Sequence, residues 1–263
     1  MTSVIGAAAV APLVASASVR AEQVSQLLLG ETAALLEHAA EWLRVRCDAD
    51  GYEGWVHRGY VRETEEAETA RWRAAAAGWS EGARLDVGGI TRSLPLRARV
   101  ALDGADAILP DGSRGRVIGG TIRTHDAVRA AALAAAPERW ALDHFGGASY
   151  QWGGLTPWGV DCSGLVQTTF LARGIAVPRD SSQQAAFGDA VPLDAVRPGD
   201  LLFFRSESGS DTITHVAFAA DGEMLVHATI ACGGVVLESF SPGSRAGDAL
   251  RPRLVSARRF AAR

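Results

Sequence analysis

A cysteine at the first turn of a helix is placed for nucleophilic chemistry, and Asp161-Cys162-Ser163-Gly164 opens such a helix. A glycine-rich stretch, 146–154, precedes it, and the apolar-periodic run Cys162–Arg173 follows until Gly174. Unpaired N–H groups and the positive end of the helix dipole there both favour thiolate over thiol. A lone cysteine is more often a small buried hydrophobe, but a glycine-rich loop-to-helix junction argues against burial. His215 opens an apolar strand, Asp221-Gly222 turns the chain, and His227 closes the returning strand. The two histidines therefore face each other across an antiparallel ladder, one to activate a thiol and the other to fix its tautomer and orientation. Either histidine alone reads as an ordinary, partly exposed side chain. Together, behind a helix-capping cysteine, they favour catalysis.

The elements that must position these groups form an α+β domain over 126–263. Ala127–Ala136 reads as a helix stopped by Pro137, Ala141–Phe145 as a second turn or helix, and Ser182–Phe187 as a short one capped by Asp180-Ser181. Strands are expected at Leu201–Phe204, His215–Ala219, Met224–Ala228 and Val235–Ser239. Ahead of this domain, residues 1–65 read as a small β domain. Its short apolar runs (Leu27–Leu29, Ala34–Leu36, Trp42–Arg46, Gly54–Val56) are separated by turn formers such as Asp50-Gly51. The acidic run Glu63–Glu68 reads as a solvated connection. Residues 66–125 read as a second β domain, with a helix over Ala70–Ala77 and strands at Ile90–Arg92, Ala98–Leu102, Ala107–Leu109 and Arg116–Ile118.

Composition agrees with several packed domains. The chain has 263 residues, 48% hydrophobic and 21% charged, with a net charge of -4. This excludes a disordered chain, and a pI near 5.9 excludes bulk electrostatic attraction to nucleic acid or anionic membranes. Three cysteines, Cys47, Cys162 and Cys232, are too few for a disulfide framework, and none are spaced C-x-x-C. No H-E-x-x-H pair or phosphate-binding glycine loop occurs, so neither a metal nor another cofactor is implied. The apolar stretch Val4–Ala17 lacks a basic n-region, is interrupted by Pro12 and is too short to span a bilayer. It reads as an extended edge strand, which makes the protein cytoplasmic. A secreted or periplasmic enzyme is the alternative if residues 1–17 act as a signal. His38, His57, His125 and His144 show no pairing and read as solvated or capping residues, and Cys232 as a strand-end thiol. Trp55 and Trp158 fit a cleft wall or a core cover.

These residues carry a resemblance. Tyr150-Gln151-Trp152-Gly153-Gly154, Asp161-Cys162-Ser163-Gly164-Leu165-Val166, Pro178-Arg179-Asp180-Ser181-Ser182-Gln183-Gln184, Arg197-Pro198-Gly199-Asp200-Leu201-Leu202-Phe203-Phe204, Thr214-His215-Val216-Ala217 and Val226-His227-Ala228 resemble, in order, the NlpC/P60 cysteine peptidases. The resemblance implies a papain-like α+β domain that cleaves peptidoglycan stem peptides. It makes Cys162 the nucleophile, His215 the base and His227 the orienting residue, with the Tyr150 hydroxyl near the oxyanion. Residues 22–31 and 50–56 resemble a bacterial SH3-like domain, and 66–125 is expected to be a second, divergent one. The combination resembles the dipeptidyl-peptidase VI subgroup, γ-D-glutamyl-L-diamino acid endopeptidases. In that subgroup the first SH3-like domain closes one end of the cleft and selects peptides with a free amino-terminal L-Ala. Glu22 and Tyr52 match its amine-recognition positions, and Asp161, Ser163, Asp180 and Ser181 match substrate contacts. The loop before Glu22, Val19-Arg20-Ala21, is short for the subgroup.

The implied partner is a murein tri- or tetrapeptide, cleaved to L-Ala-γ-D-Glu in cell-wall peptide recycling. The rivals are an exported peptidoglycan-remodelling endopeptidase, a wall-binding SH3-like module with little catalysis, and acyl transfer by a related thiol fold.

Overall fold

The structure, a computed structural model, describes residues 2–260, and the chain falls into two units that divide at Val128/Arg129. In the first, short apolar runs bounded by turns fold as β1 (Thr2–Gly6), β2 (Val10–Val14), β3 (Gln23–Leu28), β4 (Thr32–Ala39), β5 (Trp42–Cys47), β6 (Glu53–His57) and β7 (Val61–Glu65). They form one antiparallel sheet in the order β3-β2-β6-β5-β4-β1-β7. Its core follows the period-2 rule: Leu43, Val45 and Cys47 of β5 point inward while Arg44 and Arg46 point to solvent. The amino-terminal stretch departs from the expected edge strand. It forms two strands, both inside the sheet, with Val4, Ile5, Ala11 and Leu13 fully buried. Pro12 fits there because β2 meets β6 only through Val14↔Trp55, leaving that side of the strand unpaired at Pro12.

The acidic run is solvated, the Glu66 and Glu68 side chains each being 44% exposed, but it is not a mere connection. It ends β7 and begins α1 (Glu66–Ala75), where Glu66 and Glu68 accept hydrogen bonds from Ser3 and Thr64, each at 2.5 Å. A second antiparallel sheet follows: β8 (Gly78–Val87), β9 (Ile90–Ser93), β10 (Arg99–Asp103), β11 (Asp106–Ile108) and β12 (Arg114–Thr124), in the order β10-β11-β12-β8-β9. Sequence reading passes over β8 because Glu81, Gly82, Arg84 and Asp86 interrupt its apolar pattern, although Trp79, Ala83 and Leu85 are fully buried. It also stops β12 short, where the register shifts around Gly119.

The two sheets share a seam. Leu29 packs into the second core with Ala83, Leu85, Leu94, Ala98 and Val100, and the Trp72 indole donates to the Gly30 carbonyl at 2.8 Å. Arg97 Nε meets Glu31 Oε1 at 2.5 Å with both side chains buried.

The second unit begins within α2 (His125–Ala134) and continues with α3 (Pro137–Phe145), the hairpin β13 (Leu155–Thr156) and β14 (Gly159–Val160), α4 (Cys162–Ala172) and α5 (Ser181–Gln184). β15 (Asp189–Val191), β16 (Leu201–Arg205), β17 (Ile213–Ala220), β18 (Met224–Thr229), β19 (Gly234–Ser239), α6 (Arg245–Leu250) and β20 (Leu254–Arg259) complete it. The antiparallel sheet order is β15-β20-β16-β17-β18-β19, and the fold is the expected α+β. Pro137 begins α3 rather than merely ending α2, a position where its missing N–H costs no bond. α5 is shorter and earlier than 182–187. α4 packs against α3, β13, β17 and β18. It is buried along nearly its whole length, and Phe170 stacks on Phe218.

Among the remaining histidines, His38 does pair, with Glu63 at 2.9 Å. His57 accepts the Gly59 N–H, and His125 and His144 stack on Trp79 and Trp140.

Candidate active site

The loop before α4 folds tightly on the helix start because glycine allows close backbone approach. A Cβ at Gly164 would fall 2.1 Å from the Gly154 carbonyl oxygen. Asp161 is the helix N-cap, its Oδ1 accepting the Gly164 N–H at 2.7 Å. Its Oδ2 accepts the Gly153 N–H at 2.8 Å and an Arg179 guanidinium N–H at 2.7 Å. Arg179 reaches Asp161 Oδ1 as well (3.1 Å) and Ser163 Oγ (2.8 Å), while Gln184 Nε2 donates to the carbonyls of Ser163 and Pro178. Arg179 is 2% exposed. Thus Asp161 and Ser163, which match substrate contacts by position, are buried and bonded to protein groups that lock the turn carrying Cys162. Arg179 and Gln184, to which sequence reading assigned no role, are the residues that do so.

Cys162 itself is 7% exposed, contrary to the expectation that the junction would leave it open. The charge expectation changes too. Burial, then the Asp161 carboxylate, pushes the thiol up to about 12, outweighing Arg179 and the N–H groups of Val216 and Ser163 directed at the sulfur. The helix terminus alone does not make a thiolate here, so proton removal needs a base. The Val216 N–H places the sulfur beside the His215–Val216 peptide.

His215 Nε2 lies 2.7 Å from His227 Nδ1. β17 and β18 pair through Phe218↔Val226; continuing that register sets His227 opposite Ala217, so the imidazoles meet diagonally on one face. Burial, then the neighbouring His227, pushes His215 well below the usual histidine range. Burial also lowers His227. Both rings are therefore neutral near pH 7. Beyond them, Glu238 Oε1 lies 2.7 Å from His227 Nε2, a partner that no sequence motif marked.

Tyr150 is tied to the turn before β19, its N–H donating to the Gly233 carbonyl at 2.8 Å. Burial, Cys162 and Asp161 push its hydroxyl up, so it stays protonated as a donor. Asp180 occupies the N-cap position of α5 without a side-chain capping bond, so the expected helix-cap role falls to backbone; Ser181 begins that helix, half-buried. Cys232 is exposed and, like Cys47 and Cys162, free. Trp158 is 51% exposed.

In the first unit, β3 and β6 both run antiparallel to β2. Glu22 and Tyr52, each one residue before those strands, therefore stand at the same end of the sheet. Glu22 is exposed and Tyr52 half-buried.

A thiol at a helix start on a mainly antiparallel sheet, with two hydrogen-bonded histidines on neighbouring strands, defines a thiol hydrolase of papain-like architecture. Residues 147–250 match the NlpC/P60 family and residues 13–59 the bacterial dipeptidyl-peptidase Sh3 domain. The chain is 31% identical over 218 residues to the γ-D-glutamyl-L-lysine dipeptidyl-peptidase of Bacillus subtilis, covering 77% of this chain and 71% of that protein. It is 27% identical over 226 residues to the Bacillus cereus protein of the same name, covering 76% and 66%. The crystal structure of an NlpC/P60 family protein from Bacillus cereus shares the fold, with a TM-score of 0.78 at 20% identity over 98% of this chain and 99% of that one. The chain belongs to the NlpC/P60 family and is a cysteine peptidase.

Proposed function

We propose that this peptidase hydrolyses the bond between γ-D-Glu and the diamino acid of murein stem peptides bearing a free amino-terminal L-Ala, releasing L-Ala-γ-D-Glu in cytoplasmic peptide recycling. The observation that carries the reading is the similarity to the Bacillus subtilis γ-D-glutamyl-L-lysine dipeptidyl-peptidase over 77% of this chain. His215 takes the proton of Cys162, and the thiolate attacks the γ-carbonyl of D-Glu. The Tyr150 hydroxyl and backbone N–H groups receive the oxyanion. The diamino acid leaves with the proton from His215, and water hydrolyses the thioester. A primary ammonium leaving water needs carboxylate and further acceptors, which Glu22 and the Tyr52 hydroxyl of the first unit would supply. Two observations support a cytoplasmic site: residues 2–6 and 10–14 form interior strands of a core, and the three cysteines are free.

The test is mass spectrometry of the purified protein with L-Ala-γ-D-Glu-diaminopimelate and with its N-acetylated form, beside Cys162→Ala. Cleavage of only the free-amine peptide, lost in the variant, is expected. Equal cleavage of both removes the amine gate and favours wall remodelling, and cleavage of neither overturns the substrate. Fractionation of the native producer, with activity outside the cytoplasm, would overturn the location.

A further inference from the structure

Three consecutive strands each place one polar side chain on the same face of the sheet: His215 on β17, His227 on β18 and Glu238 on β19. Leu225 opposes Glu238 and His227 opposes Val236, so Glu238 is the diagonal neighbour of His227. Its Oε1 lies 2.7 Å from His227 Nε2, with side-chain exposures of 1% for the histidine and 16% for the glutamate. On the far side Arg245, the first residue of α6, binds both Glu238 oxygens, Oε2 at 2.5 Å. Glu238 is thus fixed in place by a second element and held as an acceptor.

Hydrogen-bond directions then follow from donor and acceptor counts. A carboxylate only accepts, so the hydrogen of the His227–Glu238 bond sits on His227 Nε2. A neutral imidazole carries one N–H, so His227 Nδ1 is a bare acceptor and the 2.7 Å contact to His215 must be donated by His215 Nε2. The neutral His215 ring is left with its lone pair on Nδ1. Without Glu238, His227 Nε2–H loses its acceptor and the Nδ1–H tautomer becomes accessible. That form sets donor against donor at His215, and relieving that clash moves the His215 hydrogen to Nδ1.

We propose that Glu238 is a positioning residue of this site: by accepting from His227 it orders the chain His215→His227→Glu238 and makes His215 Nδ1 the atom that takes the Cys162 proton. The argument rests on the peptidase reading of Cys162 and His215. Other charged groups acting on the two rings are Arg245, which lowers His227, and Arg253, which lowers His215.

The test is 15N NMR of the imidazole nitrogens in the wild-type protein, Glu238→Gln and Glu238→Ala, with steady-state kinetics and pH profiles on the γ-D-glutamyl peptide. Wild type is expected to show both His215 and His227 as Nε2–H tautomers. Glu238→Ala should mix the His227 tautomers and lower kcat about 10- to 100-fold at unchanged KM, the scale of losing a group that orients an imidazole. Glu238→Gln, whose amide oxygen still accepts, should keep the tautomer and recover most of the rate. A wild-type His227 protonated on Nδ1, an alanine variant with wild-type kcat, or a glutamine variant as impaired as alanine would each overturn the proposal. The wild-type spectrum needs neither variant to fold and no substrate, so a peptide left uncleaved would overturn the substrate while the tautomers still decide the role of Glu238.

Discussion

The hydrogen bond between His215 Nε2 and His227 Nδ1, 2.7 Å long, is a diagonal contact between neighbouring strands. It depends on register, since a one-residue slip of β18 would send the two rings to opposite faces of the sheet. Both faces of these strands are packed, Val216, Phe218 and Val226 on one and Ala217, Ala219 and Leu225 on the other, so the cores that stabilise the domain also align the two rings.

The resting state follows from burial. With the Cys162 thiol pushed up to about 12 and His215 pushed well down, the pair rests as thiol and neutral imidazole. Alkylation of Cys162 by an uncharged reagent, followed by mass spectrometry, should be slow at pH 7 and keep rising beyond the ordinary thiol range near about 8.5. A plateau at or below neutrality would contradict this.

Stability should fall in acid for the same reason. The folded-state pKa values of His215 and His227 lie below 6.5, while an unfolded histidine titrates at about 6.5. Between those values the unfolded chain binds more protons. The stabilisation is complete above the unfolded value and drains as pH drops toward the folded one, at up to about 1.4 kcal/mol per pH unit for each ring. Urea midpoints from pH 8 to 4 should show a shallower decline in His215→Gln/His227→Gln than in wild type.

In the proposed mechanism Tyr150→Phe removes one oxyanion donor without disturbing the Gly233 backbone bond. A loss of about 10²- to 10³-fold in kcat with little change in KM is expected. A rise in KM at constant kcat would instead assign Tyr150 to ground-state binding.

Arg179→Leu leaves Asp161 buried without its cation. Removing one partner of a buried ion pair costs about 3–5 kcal/mol, measured by denaturant titration. Asp161→Asn in the same chain should return part of it, because no buried charge then remains unpaired.

Arg97→Leu applies the same logic to the seam between the two sheets of the first unit, where Glu31 would be stranded. The expected loss is again about 3–5 kcal/mol. It should appear in the transition of the first unit and leave the reactivity of Cys162 unchanged.

Much of the site was legible in the chain itself. Asp161-Cys162-Ser163-Gly164 announces a helix start by local signals alone, and His215 and His227 flank an Asp221-Gly222 turn that forces their strands to be neighbours. These are short-range facts, set by spacing and turn chemistry. β8 and β20 were not legible, because Gly82 and alternating charges in one, and the paired arginines Arg258 and Arg259 in the other, hide strands that only their partners complete. Glu238 and Arg179 look like ordinary charged residues in sequence. They acquire roles only when register sets a carboxylate diagonal to His227, and when folding brings residue 179 under residue 161. The thiol shows the same division: helix position favours thiolate, yet burial and the adjacent carboxylate reverse the balance. Residue types and spacing therefore determined where the thiol and the two imidazoles stand in the fold. The tertiary structure decided their protonation and what holds them, because desolvation and long-range pairing exist only once the core has closed.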